Sequence, residues 1–451
     1  MTYFNRDREK DLDSWKRAHQ RKPLLLRGAR QVGKTELVRA FSKQFTNFIE
    51  INFEQDKEVH RIFSGNLYPL QICEQISALY NIPIVPGETL LFFDEIQSCI
   101  PAISSLRFFY ENYPELHLVA AGSLLEFALQ ELPSFGVGRI SSMFIYPFSF
   151  EEFLKASNAE LLNQVIRNAN PENPLNEALH NKALEYYRKF LLLGGMPAIV
   201  SSYISGGADI LSCQSLLDDL INTYEDDFAK YKKRFPASIV REVFRSVAHQ
   251  NGRKFIYEKA TNELNRIQVK NALELLIMAG LIIPVTHSSA NGIPLGAEKN
   301  IKKRKYLIAD TGIFHRLLGL KISDILLKGN FDMVNKGAIA ELSTGLELVK
   351  AAPHSQREEL YFWHREARNS QAEIDFLTQR NNLIVPVEVK SGTKGSMQSL
   401  YIFLEEKKIK NGIRTSLENF SKYEKVDVIP LYAISNILKS QRYPLTSVIP
   451  L

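Results

Sequence analysis

The chain has 451 residues, of which 45% are hydrophobic and 24% charged, and a formal charge of +6. This is the composition of a soluble globular protein, too long for one ordinary core, so two or three domains are expected. No run approaches the roughly 20 apolar residues of a membrane span. Cys73, Cys99 and Cys213 have neither metal spacing nor a disulfide framework, and the charged start Asn5–Lys10 is no signal peptide. A cytoplasmic protein with no membrane partner is expected; the mild positive charge permits nucleic-acid binding without demanding it.

Residues 4–20 read as a helix, with Leu12, Trp15 and Ala18 three apart. Pro23–Leu26 is a short apolar run suited to a buried parallel strand. GARQVGKT (28–35) follows and fits G-x-x-x-x-G-K-[ST], the phosphate-binding loop. Strand, glycine loop and helix is the order the chemistry needs. Backbone N–H groups and the helix N-terminus point at phosphate oxygens. The expected ATP-binding residues are Gly28, Ala29, Arg30, Gln31, Val32, Gly33, Lys34, Thr35 and Glu36. Lys34 neutralises the β- and γ-phosphates and Thr35 ligates Mg²⁺. A second strand is expected over 47–53 and a helix over 68–81. Thr89–Phe93 is a strand that ends in Asp94-Glu95. Asp94 there can hold Mg²⁺, and Glu95 can polarise the attacking water. After a helix near 104–113, the strand Leu116–Ala121 ends in Gly122-Ser123, where Ser123 can sense the γ-phosphate. The β-α-β alternation predicts a doubly wound parallel sheet.

Gly136-Val137-Gly138-Arg139 offers a loop arginine. Arg139 can act in cis as a sensor, in trans as an arginine finger of a homo-oligomer, or simply pair with a surface carboxylate. Residues 158–177 read as a polar loop or insert. Residues 178–205 read as helix, with Gly194-Gly195-Met196-Pro197 near their end. These segments form a first domain over 1–205.

A second domain, 206–325, reads as helical. Helices over 239–248, 258–264 and 267–279 precede strands at 281–285 and 305–308, a winged helix in outline. Arg266, Gln268, Lys270 and Asn271 would face DNA from its third helix, and Lys302-Lys303-Arg304-Lys305 would lie on the wing. The alternatives are a rigid spacer and a solvated charged face.

The third domain, 326–451, holds a helix over 337–348 carrying Glu341, a strand over 360–364, and a hairpin of 373–377 with 383–390. Glu388 and Lys390 share one strand face and the hairpin can bring Asp375 beside them. Such a set can bind Mg²⁺ and steady a hydroxide at a phosphodiester, with Glu341 completing the metal shell and Gln398 orienting water. The alternative is a half-buried hairpin with a charged outer face.

These motifs, with VAAGSLLEF (119–127), YPFSFEEF (146–153), GGMPAIV (194–200) and YLIADTGI (306–313), resemble a family of bacterial and archaeal AAA-type P-loop ATPases. Its members join an AAA-like domain to a C-terminal region of unknown function with a restriction-endonuclease-like fold. The resemblance places Lys34, Thr35, Asp94 and Glu95 in the nucleotide roles. It puts Asp375, Glu388 and Lys390 on the PD-(D/E)xK nuclease pattern, with Ile374 where the usual proline stands. It implies α/β architecture throughout and an ATPase controlling a nuclease-like, DNA-directed domain. The rival expectations are an ATP-driven switch whose last domain only binds a partner, and a remodeller of proteins.

Overall fold

The computed structural model describes residues 2–131, 138–231, 235–260, 264–321, 336–366 and 372–439. Strands β1 (Leu24–Arg27), β2 (Asn47–Asn52), β3 (Thr89–Asp94), β4 (His117–Ala121) and β5 (Ser141–Phe144) form a parallel sheet in the order β2-β3-β4-β1-β5. Leu24, Leu26, Leu90 and Phe92 enter one core, while Leu25, Leu91 and Phe93 enter the core on the opposite face. Burial on both faces is why these strands read as continuous apolar runs. β5 has no such run, and its opening Ser141-Ser142 gives no strand signal.

The first helix, Glu9–Arg17, is shorter than the span 4–20. Leu12 and Trp15 are buried as the periodicity requires, but Thr2, Tyr3, Phe4 and Arg6 lie before the helix and line a cavity. Residues 158–177 are not loop throughout, because Glu160–Asn168 is an amphipathic helix with Ile166 and Asn163 buried. The helical middle contains Ile210–Tyr231, Ala237–His249 and Arg266–Met278, with a 3₁₀ turn at Tyr257–Lys259. No described helix is long and apolar enough to cross a membrane.

The C-terminal sheet is mixed and eight-stranded. It comprises β6 (Ile282–Ser288), β7 (Lys299–Ile308), β8 (Leu360–His364), β9 (Glu373–Arg380), β10 (Leu383–Val389), β11 (Gly412–Ser416), β12 (Ser421–Tyr423) and β13 (Val426–Pro430). Their order is β12-β13-β11-β10-β9-β8-β6-β7. The β9–β10 hairpin forms as expected. Asn381 and Asn382 both take left-handed backbone (φ +46° and +60°), the conformation a two-residue hairpin turn needs. The β6–β7 hairpin is not a free wing. β6 bonds in parallel to β8, so the sheet takes strands from both sides of position 325.

Candidate nucleotide site and a C-terminal ionic cluster

β1 delivers the chain to Gly28, and the helix Lys34–Ser42 carries it away. A Cβ on Gly28 (φ +147°) would stand 2.1 Å from the Ile145 carbonyl oxygen, so this position admits no side chain. Gly33 (φ +90°) turns the backbone into the helix. Lys34 Nζ donates to the carbonyls of Gly28 (3.0 Å) and Ala29 (2.8 Å). Burial lowers the Lys34 pKa to about 8, against the opposing pull of Glu95 and Asp94. Thr35 Oγ1 donates to Asp94 Oδ2 at 3.0 Å. Burial, and then the charge of Glu95, raise the Asp94 pKa to about 6. A hydroxyl beside a carboxylate is a hard oxygen pair that fits Mg²⁺.

Glu95 has left-handed backbone, φ +47°. Its Oε2 accepts from Ser123 N and Ser123 Oγ, both at 3.0 Å, and from Gln97 Nε2 at 2.6 Å. A Cβ on Gly122 would lie 1.9 Å from Gln97 Oε1, so a side chain there would push the Gln97 amide aside. The tips of β3 and β4 thus meet in one hydrogen-bonded group.

A cavity of about 380 Å³ gathers Arg30, Gln31, Gly33, Lys34, Thr35 and Glu36 with Asp94, Glu95 and Ser123. Its remaining wall includes Tyr3, Phe4, Phe148, Pro197 and Ala198. Gly28, Ala29 and Val32 lie on the loop's reverse side, lining a second cavity of about 250 Å³ with Gly280 and Ile282. Arg139 lies outside the nucleotide cavity and pairs with Glu111, the surface-pair alternative. Gly136 and Val137 lie outside the described residues.

One arginine, Arg6, escapes sequence reasoning, and the partner of another, Arg30, does so too. Arg6 is buried and bonds Glu152 (2.9 Å), the Val32 carbonyl (3.0 Å) and the Tyr146 carbonyl (2.7 Å), bracing the loop. Glu152 also closes a capping box with Ser149. That box, written in YPFSFEEF, is the one sequence signal that could have led to Arg6. Arg30 bonds Asp227 at 2.8 Å, a partner 197 positions away, which no local pattern announces.

At the C-terminal end, Asp375, Glu388 and Lys390 converge. Asp375 Oδ2 accepts from Val389 N at 2.7 Å, and Lys390 Nζ lies 2.6 Å from Glu388 Oε1. Burial, then the charge of Asp375, raise the Glu388 pKa to about 7. Glu341 does not join them as a metal ligand. Its Oε1 accepts from Lys305 Nζ at 2.8 Å, and Lys305 is 1% exposed. Among the described residues no three of His, Cys, Asp or Glu are grouped to hold a metal. The expected shell of Glu341, Asp375 and Glu388 therefore does not fit a metal as it stands. The run 302–305 does not form a uniform charged face either. Lys302 is exposed, Lys303 pairs with Glu366, and Lys305 is in the core. On the helix Arg266–Met278, Gln268 closes a capping box with Asn265: its Oε1 accepts from Asn265 N and its backbone N donates to Asn265 Oδ1, both at 3.0 Å.

Residues 20–154 match a family model described as an AAA domain. This region is an AAA domain. Residues 184–324 and 336–434 match two further models, each described as a domain of unknown function (DUF8612 and DUF4143). Among solved structures the chain is similar to the Walker-type ATPase PABY2304 of Pyrococcus abyssi. Identity is 17% over 70% of this chain and 96% of that one, with a TM-score of 0.45. It is also similar to the ORC1 protein of Aeropyrum pernix in complex with DNA, 14% identical over 70% of this chain and 93% of that one, TM-score 0.29. No curated protein matches.

Proposed function

We propose that this chain is a Mg²⁺-dependent ATPase that acts as a nucleotide-driven switch on its C-terminal sheet. Lys34 and the loop N–H groups receive the β- and γ-phosphates. Thr35 and Asp94 would hold Mg²⁺, which supplies charge neutralisation at those phosphates. Glu95 orients and deprotonates water, and Ser123 reports the γ-phosphate. Arg139 enters only as a finger supplied by a second copy of the chain, because its own pocket lies elsewhere. The three cysteines are buried free thiols, which supports a cytoplasmic setting.

The observation that carries the switch is one buried carboxylate. Asp310 accepts from Gly195 N (2.7 Å), Gly312 N (2.8 Å) and Ile313 N (3.2 Å). A Cβ on Gly194 would lie 2.0 Å from Asp310 Oδ1, so GGMP and ADTG are shaped to each other. Pro197, two residues past Gly195, lines the nucleotide cavity; Ile308, two residues before Asp310, ends β7. The Asp227–Arg30 pair and the Tyr224 hydroxyl, which donates to the Arg30 carbonyl at 3.0 Å, hold the loop from the helical side. Contiguous contacts become coupling only when both ends bias one element. ATP added to the hydrolysis-slow Glu95→Gln protein should change amide hydrogen exchange across 299–308, and Asp310→Asn should weaken that change. Identical exchange with and without ATP would refute the switch.

A second reading makes the C-terminal domain a DNA nuclease under the same control. The meeting of Asp375, Glu388 and Lys390 favours it. A groove lined by Arg245, His249, Arg253, Lys254 and Lys259 supports DNA as a partner. Supercoiled, linear and single-stranded DNA, with Mg²⁺ or Mn²⁺ and with or without ATP, provide the test. Under this reading cleavage appears in at least one condition and is lost in Lys390→Ala. No cleavage alongside intact ATPase activity leaves the partner-binding switch.

A further inference from the structure

Four carboxylates and two ammonium groups meet where the helix Lys336–Ala351, β7, β9 and β10 converge. Lys305 Nζ lies 2.8 Å from Glu341 Oε1, 2.5 Å from Glu373 Oε1 and 4.0 Å from Asp375 Oδ1. It also stands 5.2 Å from the centre of the Phe362 ring. Among the described residues Glu388 forms one ion pair, to Lys390 through Oε1, and its buried Oε2 has no hydrogen-bond partner. Burial alone would lower the Lys305 pKa, but Glu341, Asp375 and Glu373 outweigh it and hold the ammonium charged. Carboxylate oxygens are the donors a hard divalent cation uses, though as they stand these three are not grouped to hold one. Here the centre is nitrogen.

The geometry points to Lys305 as the built-in cation of this site. Its ammonium takes the place between Glu341 and Asp375 that a divalent metal would need, and it keeps Mg²⁺ and Mn²⁺ out while the β6–β7 hairpin stays in register. The inference rests on reading Asp375, Glu388 and Lys390 as a nuclease-like set. Buried carboxylates without a counter-charge are costly, so the cluster must hold one cation, and the tethered lysine is always at hand. The lysine is fenced in. Lys305 faces Val285 in the β6–β7 ladder, and the neighbouring Arg304 carbonyl accepts from Phe255 N at 2.9 Å. The loop at Gly252 closes over Glu341, where even a Cβ would come within 2.8 Å of Glu341 Oε2. Exchange of lysine for metal therefore requires the hairpin to move. Its far end is the segment that Asp310 ties to the nucleotide cavity, which makes metal access the property the ATPase cycle can gate.

The test is a Mn²⁺ titration of the full-length, nucleotide-free chain, with free Mn²⁺ read by electron paramagnetic resonance. Wild type, Asp375→Asn, Lys305→Met and the double variant are compared; weak binding at Thr35 and Asp94 is common to all four. Wild type and Asp375→Asn should bind Mn²⁺ alike. Lys305→Met should gain one site, at least tenfold tighter, that the double variant loses. A wild-type site that Asp375→Asn abolishes overturns the proposal, and this comparison stands even if Lys305→Met fails to fold. A folded Lys305→Met that gains no site overturns it as well. DNA cleavage is scored separately. A Lys305→Met protein that gains Mn²⁺ and does not cut keeps the lysine as the cation and removes the nuclease reading.

Discussion

Lys34→Ala should weaken ATP binding by roughly 10²- to 10³-fold. The ammonium is buried in the cavity wall, held by the Gly28 and Ala29 carbonyls, and a seated phosphate would replace those neutral acceptors with a charged one. At the effective dielectric of such a site, two unit charges about 4 Å apart interact by about 4 kcal/mol. Each 1.4 kcal/mol is about tenfold in affinity. The pH dependence carries a second signature. With a pKa of about 8, Lys34 is half neutral near that pH, and phosphate favours the charged form. Binding must then take up a proton, so ATP affinity should fall as pH rises through 8. The Ala variant should show no such fall. Calorimetric titration in two buffers of different ionisation enthalpy reads both quantities. A Kd within threefold of wild type would remove Lys34 from the phosphate site.

The nucleotide site was far more legible in the sequence than the C-terminal cluster, for a physical reason. A phosphate cradle is local. Its turn, glycines, lysine and hydroxyl lie within eight residues, and the strands that carry Asp94 and Ser123 are buried on both faces and so announce themselves as apolar runs. The C-terminal hairpin was legible for the same reason, since period-two alternation and the Asn381-Asn382 turn are short-range signals. Lys305 was not. In sequence it closes a run of four basic residues, and such runs are usually solvated. Only the parallel pairing of β6 with β8 turns that end of the hairpin inward, and nothing near residue 305 encodes a partner 68 to 70 positions away. Arg6 was hidden likewise, by its partner Glu152, and so was the pairing of Arg30 with Asp227.

Glu95→Gln should lower the rate of ATP hydrolysis by about 10²- to 10⁴-fold, the range for loss of a general base, and leave the ATP Kd within a few-fold. The substitution is nearly isosteric. The amide oxygen can still accept from Ser123 N and Oγ, so the tips of β3 and β4 keep their contact and the backbone at φ +47° has no new strain to absorb. What disappears is the ability to take a proton from water. Single-turnover hydrolysis separates that chemical step from binding and product release. Unchanged turnover would strip Glu95 of its role. A loss of ATP affinity equal to the loss of rate would show instead that Glu95 serves to place Ser123 and the loop. Ser123→Ala distinguishes the two: it frees the carboxylate from one hydroxyl while keeping the base. A base role predicts residual hydrolysis well above that of Glu95→Gln, whereas a purely positional role predicts that both variants fall together.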